Sequence, residues 1–196
     1  MPRTTHKEVL ALIATIVIAA TPSVSTAAQG KKQQYAPATI SCVIDAAQAY
    51  KIPPALMLAV ASVEGGKNGT ASRNTNGTYD LGHFQLNTTH WRKGGFFSDY
   101  DMQRARWDGC LNAHMASRLM RWQFDNRGGR DWWTAAASYH STTPRHNARY
   151  KKILIAKTRE WERWLANVSA ACSRRIDKTR PCHIAYAAPV RKTVKR

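Results

Sequence analysis

Apolar and polar positions alternate along this chain with a helical rhythm rather than a strand-like one. Within Ile40–Tyr50, Val43, Ala46, Ala47 and Tyr50 fall on one helix face. Ile52-Pro53-Pro54 breaks that run, and Pro54 suits the first position of a new helix. Ala55–Glu64 is almost wholly apolar and stops at Gly65-Gly66, a helix-ending pair. The next stretch, residues 65–82, holds five Gly and three Asn with few apolar residues, which predicts a long loop of the kind that usually carries function. Asn76-Gly77 within it suits a tight turn or a β-hairpin. Four further helices are predicted over Phe84–Trp91, Trp107–Gln123, Asp131–Tyr139 and Ala148–Leu165. The class is mainly α, and the compositional core runs over residues 39–167.

The two ends differ from that core. Val9–Ala20 reads VLALIATIVIAA behind Arg3 and Lys7, and Ser25-Thr26-Ala27 follows. Twelve such residues are short for a bilayer span of ~20 residues and right for the core of a signal peptide. Residues 1–27 are therefore expected to be a signal peptide, with 28–38 a polar leader. Residues 168–196 carry eight Lys/Arg against one Asp, which reads as a basic tail.

Charge sharpens the picture. The 196 residues carry 30 Lys/Arg and 12 Asp/Glu, a formal net charge of +18. Without residues 1–27 the counts become 28 and 11, so about +17 remains. That excess calls for a polyanionic partner: nucleic acid, an anionic membrane or an acidic wall polymer. An export signal and the lack of a nucleic-acid motif argue against the first. No segment after the signal is apolar enough to span a membrane. Seven Trp and 43% hydrophobic residues exclude a wholly disordered chain.

Acid scarcity makes the search for chemistry short. After the signal peptide the only glutamates are Glu64, Glu160 and Glu162. The last two sit among Lys and Arg in KTREWERWL, as on a solvated helix face. Glu64 shares a face with Val60 and Met57, four and seven residues back. A carboxyl on an apolar face, at the negative end of a helix dipole, is pushed toward its protonated form, which suits a general acid. The plainer alternative is a helix-end Glu paired with an Arg. The His residues show no HExxH or zinc-finger spacing, so no metal and no cofactor is expected.

Three patterns then stand in order: Glu64 closing an apolar helix; Asn74-Thr75-Asn76-Gly77-Thr78-Tyr79-Asp80-Leu81-Gly82-His83-Phe84-Gln85-Leu86-Asn87; and Ala137-Ser138-Tyr139-His140. Together they resemble the lysozyme-like lytic transglycosylases, closest to the small exported ones that accompany conjugation and type III secretion machines. The resemblance covers about residues 40–155. It implies a lysozyme-like domain in which Glu64 is the single catalytic acid/base, while Gln85 and Tyr139 bind substrate. His140 stands where the family usually has Asn, and Gly65 where it usually has Ser. Tyr79 inside the long motif and Tyr150 in Arg149-Tyr150-Lys151 are further substrate-binding candidates. The family's paired Cys correspond to Cys42 and Cys110. Four Cys allow three pairings, and Cys172 with Cys182 would close a small loop in the tail.

What the resemblance implies for activity is cleavage of the MurNAc-β-1,4-GlcNAc bond of peptidoglycan with formation of a 1,6-anhydro ring, in the periplasm, for a secretion or conjugation apparatus. Asp80 is expected to order the Gly-rich loop rather than act as a nucleophile. Two alternatives remain open at this point: a goose-type lysozyme that hydrolyses the same bond, and a wall-binding module without catalysis.

Overall fold

A computed structural model describes residues 35–127 and 131–174. The expected signal peptide, most of the expected leader, and the expected tail beyond Arg174 with Cys182 lie outside the described residues. Six helices run in the order α1 (Ile40–Ala49), α2 (Pro54–Glu64), α3 (Met102–Trp107), α4 (Gly109–Arg127), α5 (Trp132–Ala137) and α6 (Pro144–Ser173). Between α2 and α3 lies an antiparallel sheet of β1 (Ala71–Arg73), β2 (Tyr79–Leu81) and β3 (Leu86–Asn87), followed by a 3-10 helix, Thr88–Trp91.

α2 is the axis of the molecule. Every residue from Ala55 to Ser62 is buried, because α1 and α6 pack against it. A helix apolar all round is stable only inside such a jacket. Pro54 starts it, and Gly65 ends it in the left-handed conformation, φ 57° and ψ 25°, with its N–H donating to the Ala61 carbonyl. Glu64 is thus delivered at the exit of the core. α1 is capped by Thr39, whose hydroxyl accepts from the Cys42 N–H at 3.2 Å. Cys42 is joined to Cys110 at the start of α4, with their Cα atoms 5.6 Å apart, so the pairing that the resemblance implied is formed. The pairing of Cys172 with Cys182 involves a residue outside those described.

The hairpin expected at Asn76-Gly77 is the β1–β2 connection, with Arg73 opposite Tyr79 and Ala71 opposite Leu81. The helix expected over Phe84–Trp91 is not formed. Gly82 and Gln85 take positive φ, 67° and 52°. Asn87 then pairs with Asp80 in the sheet, and its side chain caps the 3-10 helix through the Thr89 N–H. An apolar spacing that suits a helix is overridden here by tertiary hydrogen bonds to the turn. α3 was not legible, because only Ala105 of its six residues is buried. It depends on Asp101, whose carboxylate accepts from the N–H groups of Gln103 and Arg104. α6 begins at Pro144, four residues ahead of the expected start, and continues past Asn167 to Ser173. The first residues assigned to the tail therefore extend this helix.

Candidate active site

Two close approaches build the site around Glu64. Beyond Gly65 the chain crosses the turn at residues 82–85, and the Gly66 N–H donates to the His83 carbonyl at 3.1 Å. A Cβ on Gly66 would stand 2.1 Å from the Gly82 carbonyl oxygen and 2.5 Å from Gln85 Nε2. Only glycine allows that contact, which sets the end of α2 against the Gly82-His83-Phe84-Gln85 turn. The turn itself hangs on Asn112 of α4, which is wholly buried. Its Oδ1 accepts from the Phe84 N–H at 2.7 Å, and its Nδ2 donates to the carbonyls of Leu81 and Ala105 at 3.2 and 3.0 Å. Tyr139 clamps the same turn, donating its hydroxyl to the Phe84 carbonyl at 2.8 Å. Gln85 Nε2 donates to the Gly82 carbonyl at 2.8 Å.

The Glu64 side chain retains 13% of its surface. The Tyr150 hydroxyl donates to its Oε1 at 2.7 Å. Burial, reinforced by the neighbouring Glu64 charge, drives the Tyr150 phenol well above its ordinary range, and Tyr139 is raised for the same two reasons. Both remain neutral donors at any working pH. His140 lies flat on Tyr150, ring centres 4.6 Å apart and planes 1° apart. Its Nδ1 is 3.9 Å from Glu64 Oε1. Burial first and His146 second hold the His140 pKa below its ordinary value, against an opposing pull from Asp80. His140 therefore faces Glu64 as a neutral ring near pH 7.

These groups open on a cleft of about 750 Å³ whose walls include Glu64, Gln85, Tyr139 and His140, with Asn76 and Asn87 beyond them. The far wall is held by amides and hydroxyls. Asn74 Nδ2 and Asn87 Nδ2 both donate to Thr78 Oγ1, and Asn87 Nδ2 also donates to Asp80 Oδ1 at 2.7 Å. Thr78 donates in turn to Asn76 Oδ1. Asp80 thus orders the loop, as expected of it. A polar, largely uncharged wall of this kind matches a hydroxylated, amide-bearing ligand such as an amino sugar.

Of the candidates from sequence, Glu64, Gln85, Tyr139 and His140 converge on the cleft, and Tyr150 braces Glu64 from behind. Tyr79 does not join them. Side chains alternate along β2, so Asp80 faces the cleft while Tyr79 and Leu81 face a small pocket against Met102 and Arg106. The seven Trp lie mostly against the core, with Trp91, Trp122, Trp133, Trp161 and Trp164 packed on it. Trp107 and Trp132 are 45% and 40% exposed, and the other five are half-buried. Indole N–H groups need partners, and Trp91 and Trp161 find theirs on Tyr100 and Ser62 at the edge of the core. Two supports were missed. Asn112 is a polar residue on the apolar face of α4, the same signal that singled out Glu64. Asn147, also buried, donates to the carbonyls of Thr134 and Ser141 and so fixes the α5–α6 connection that carries Tyr139 and His140. Among the described residues no group of three or more His, Cys, Asp or Glu is placed to hold a metal.

The family model described as the transglycosylase SLT domain matches residues 41–161, more than half of the chain. The chain belongs to that family. The SLT domain therefore spans α1 through most of α6 and contains the whole Glu64 site, and its mainly α architecture is lysozyme-like. Among curated proteins, Protein IpgF of Shigella flexneri is 32% identical to this chain over 108 residues, which is 53% of this chain and 68% of that protein. Protein IpgF of Shigella sonnei matches at the same identity and coverage.

Proposed function

We propose that this SLT-domain protein is a peptidoglycan lytic transglycosylase that cleaves the MurNAc-β-1,4-GlcNAc bond and leaves a 1,6-anhydro-MurNAc end. One observation carries the proposal: Glu64 stands in the wall of an amide-lined cleft with its carboxyl oriented by a neutral tyrosine. In the first step Glu64 gives its proton to the glycosidic oxygen. The C1–O bond breaks and the GlcNAc side leaves as an alcohol. Positive charge at C1 is shared with the ring oxygen and met by the sugar's own N-acetyl oxygen. In the second step the Glu64 carboxylate takes the proton of the MurNAc 6-hydroxyl, whose oxygen bonds to C1. Glu64 ends as it began, and no water enters. Between the steps Glu64 is an anion, and the Tyr150 hydrogen bond becomes charge-assisted. Gln85 and the Asn residues hold the sugar amides and hydroxyls.

That reaction would take place in the periplasm, where an export signal over residues 1–27 would send the protein. The net charge of about +17 without residues 1–27 would draw it to the carboxylates of the wall. Local opening of the wall for a secretion or conjugation apparatus is the role that the resemblance of its motifs implies. Asp80 in the same cleft is the observation that would serve a hydrolysing enzyme, which needs a second carboxylate or an equivalent. Glu64→Gln keeps the shape and removes the acid. Sacculus digestion by the full chain is expected to fall on the order of 10³-fold, with the circular dichroism unchanged. Digestion within tenfold of the parent would rule out Glu64 as the acid.

A further inference from the structure

Behind Glu64 lies a second chamber of about 240 Å³, lined by Val63 and Glu64 of α2, by His140, and by His146, Arg149, Tyr150 and Ile153 of α6. The α6 residues are spaced at three and four, so one helix face forms that wall. The chamber shares Glu64, His140 and His146 with the main cleft. A group attached at, or next to, the bond over Glu64 can therefore reach it.

Its chemistry differs from that of the cleft. The cleft is walled by side-chain amides and hydroxyls. The chamber has neither, apart from the Tyr150 hydroxyl already bonded to Glu64. Beside the Glu64 carboxyl and the His140 and His146 imidazoles that it shares with the cleft, it offers two aliphatic side chains, Val63 and Ile153, the latter 44% exposed, and the Arg149 guanidinium. Arg145 and Lys152, exposed on either side of Arg149, extend the positive charge. None of these three cations joins an ion pair among the described residues. A sugar ring would leave the aliphatic walls and the guanidinium unmatched. An acidic substituent with short aliphatic side chains matches both.

Resting on the function proposed above, we infer that this chamber binds the peptide stem borne by the MurNAc residue at Glu64, with a stem carboxylate on Arg149 and its aliphatic side chains against Val63 and Ile153. Arg is suited to this role because its planar fork meets a carboxylate bidentately. The protein would then select glycan that still carries peptides over stripped glycan.

The test uses the full chain carrying Glu64→Gln, which binds without turnover. Its affinity is measured for soluble glycan strands with peptide stems and for the same strands stripped by an amidase, at about 0.15 M salt so that long-range attraction is screened. Stem-bearing strands are expected to bind about tenfold tighter, the scale of one charge-assisted hydrogen bond. Adding Arg149→Gln should bring the two affinities within about twofold of each other. Ile153→Asp, which sets a like charge against the stem, should do the same. Lys93→Ala removes one exposed cation outside the chamber and should keep the preference. Equal affinity in the parent, or a preference retained in Arg149→Gln, overturns the inference. Absence of anhydro product from wild-type protein on either strand would instead overturn the proposed reaction, and the affinity ratio would still decide what the chamber holds.

Discussion

Asn112 shows how a residue with no chemical role can decide whether a site exists. It is wholly buried and satisfies three backbone groups, two at the turn that carries Gln85 and one on α3. Asn112→Ala would leave those groups buried and unpaired. The expected loss is about 2–4 kcal/mol of stability, measurable by urea unfolding. Sacculus digestion should fall further than stability explains, because the Gly82–Gln85 turn loses its anchor. A change below about 0.5 kcal/mol would show that water replaces the amide. At this scale the sequence is legible where a residue contradicts its surroundings. Glu64 is such a residue, the lone acid on an apolar helix face, and so, less visibly, is Asn112. Tyr150 is not, because its role depends on a partner 86 positions away, and nothing local distinguishes it from a core tyrosine. Tyr79 misled for the opposite reason: it belongs to a long motif, but strand alternation turns it away from the cleft.

Among the elements, the helices with a strong apolar face were legible and those fixed by caps or crossings were not. α2 is defined by its composition and its Pro and Gly ends, whereas α3 rests on Asp101 as a cap and the 82–91 segment on contacts with α4 and the α5–α6 connection. The Cys42–Cys110 bridge ties α1 to α4 with a sequence separation of 68. The chain-entropy model assigns such a closure about 4 kcal/mol, exerted on the unfolded state. Replacing both Cys by Ala is therefore expected to lower the unfolding free energy by up to that amount while leaving the far-UV circular dichroism of the folded protein unchanged. The cleft is lined mainly by α2, the sheet and the α5–α6 connection, and α4 is held to the turn through Asn112 independently of the bridge, so digestion measured well below the new melting temperature should change less than twofold. A larger loss of activity without a loss of stability would mean that the bridge positions the site.

For the whole molecule, acid pH acts through buried imidazoles. His83 is 7% exposed, and burial lowers its pKa from 6.5 to about 4. Below pH 6.5 the unfolded chain binds a proton there, while the folded chain stays neutral until about pH 4. Stability at this site is therefore full above pH 6.5 and falls as the pH drops through that window, by about 3 kcal/mol in all. His90 and His140 are lowered too, so they act in the same direction. Unfolding curves at pH 7 and pH 4.5 should show the loss, and His83→Gln should flatten it; an unchanged pH dependence would place the effect elsewhere. The mainly α architecture that carries these groups was legible as a whole from the chain's helical rhythm, but the route by which the sheet and α4 close the cleft was not. In the proposed reaction, bond cleavage over Glu64 ends in an internal ring and consumes no water. That reaction is tested by digesting purified sacculi with the full chain in water enriched in oxygen-18 and weighing the released muropeptides. Anhydro products one water lighter than reducing-end muropeptides, free of the heavy isotope at the new end, are expected. Reducing-end products carrying oxygen-18 would contradict a transglycosylase reaction and make the protein a hydrolase.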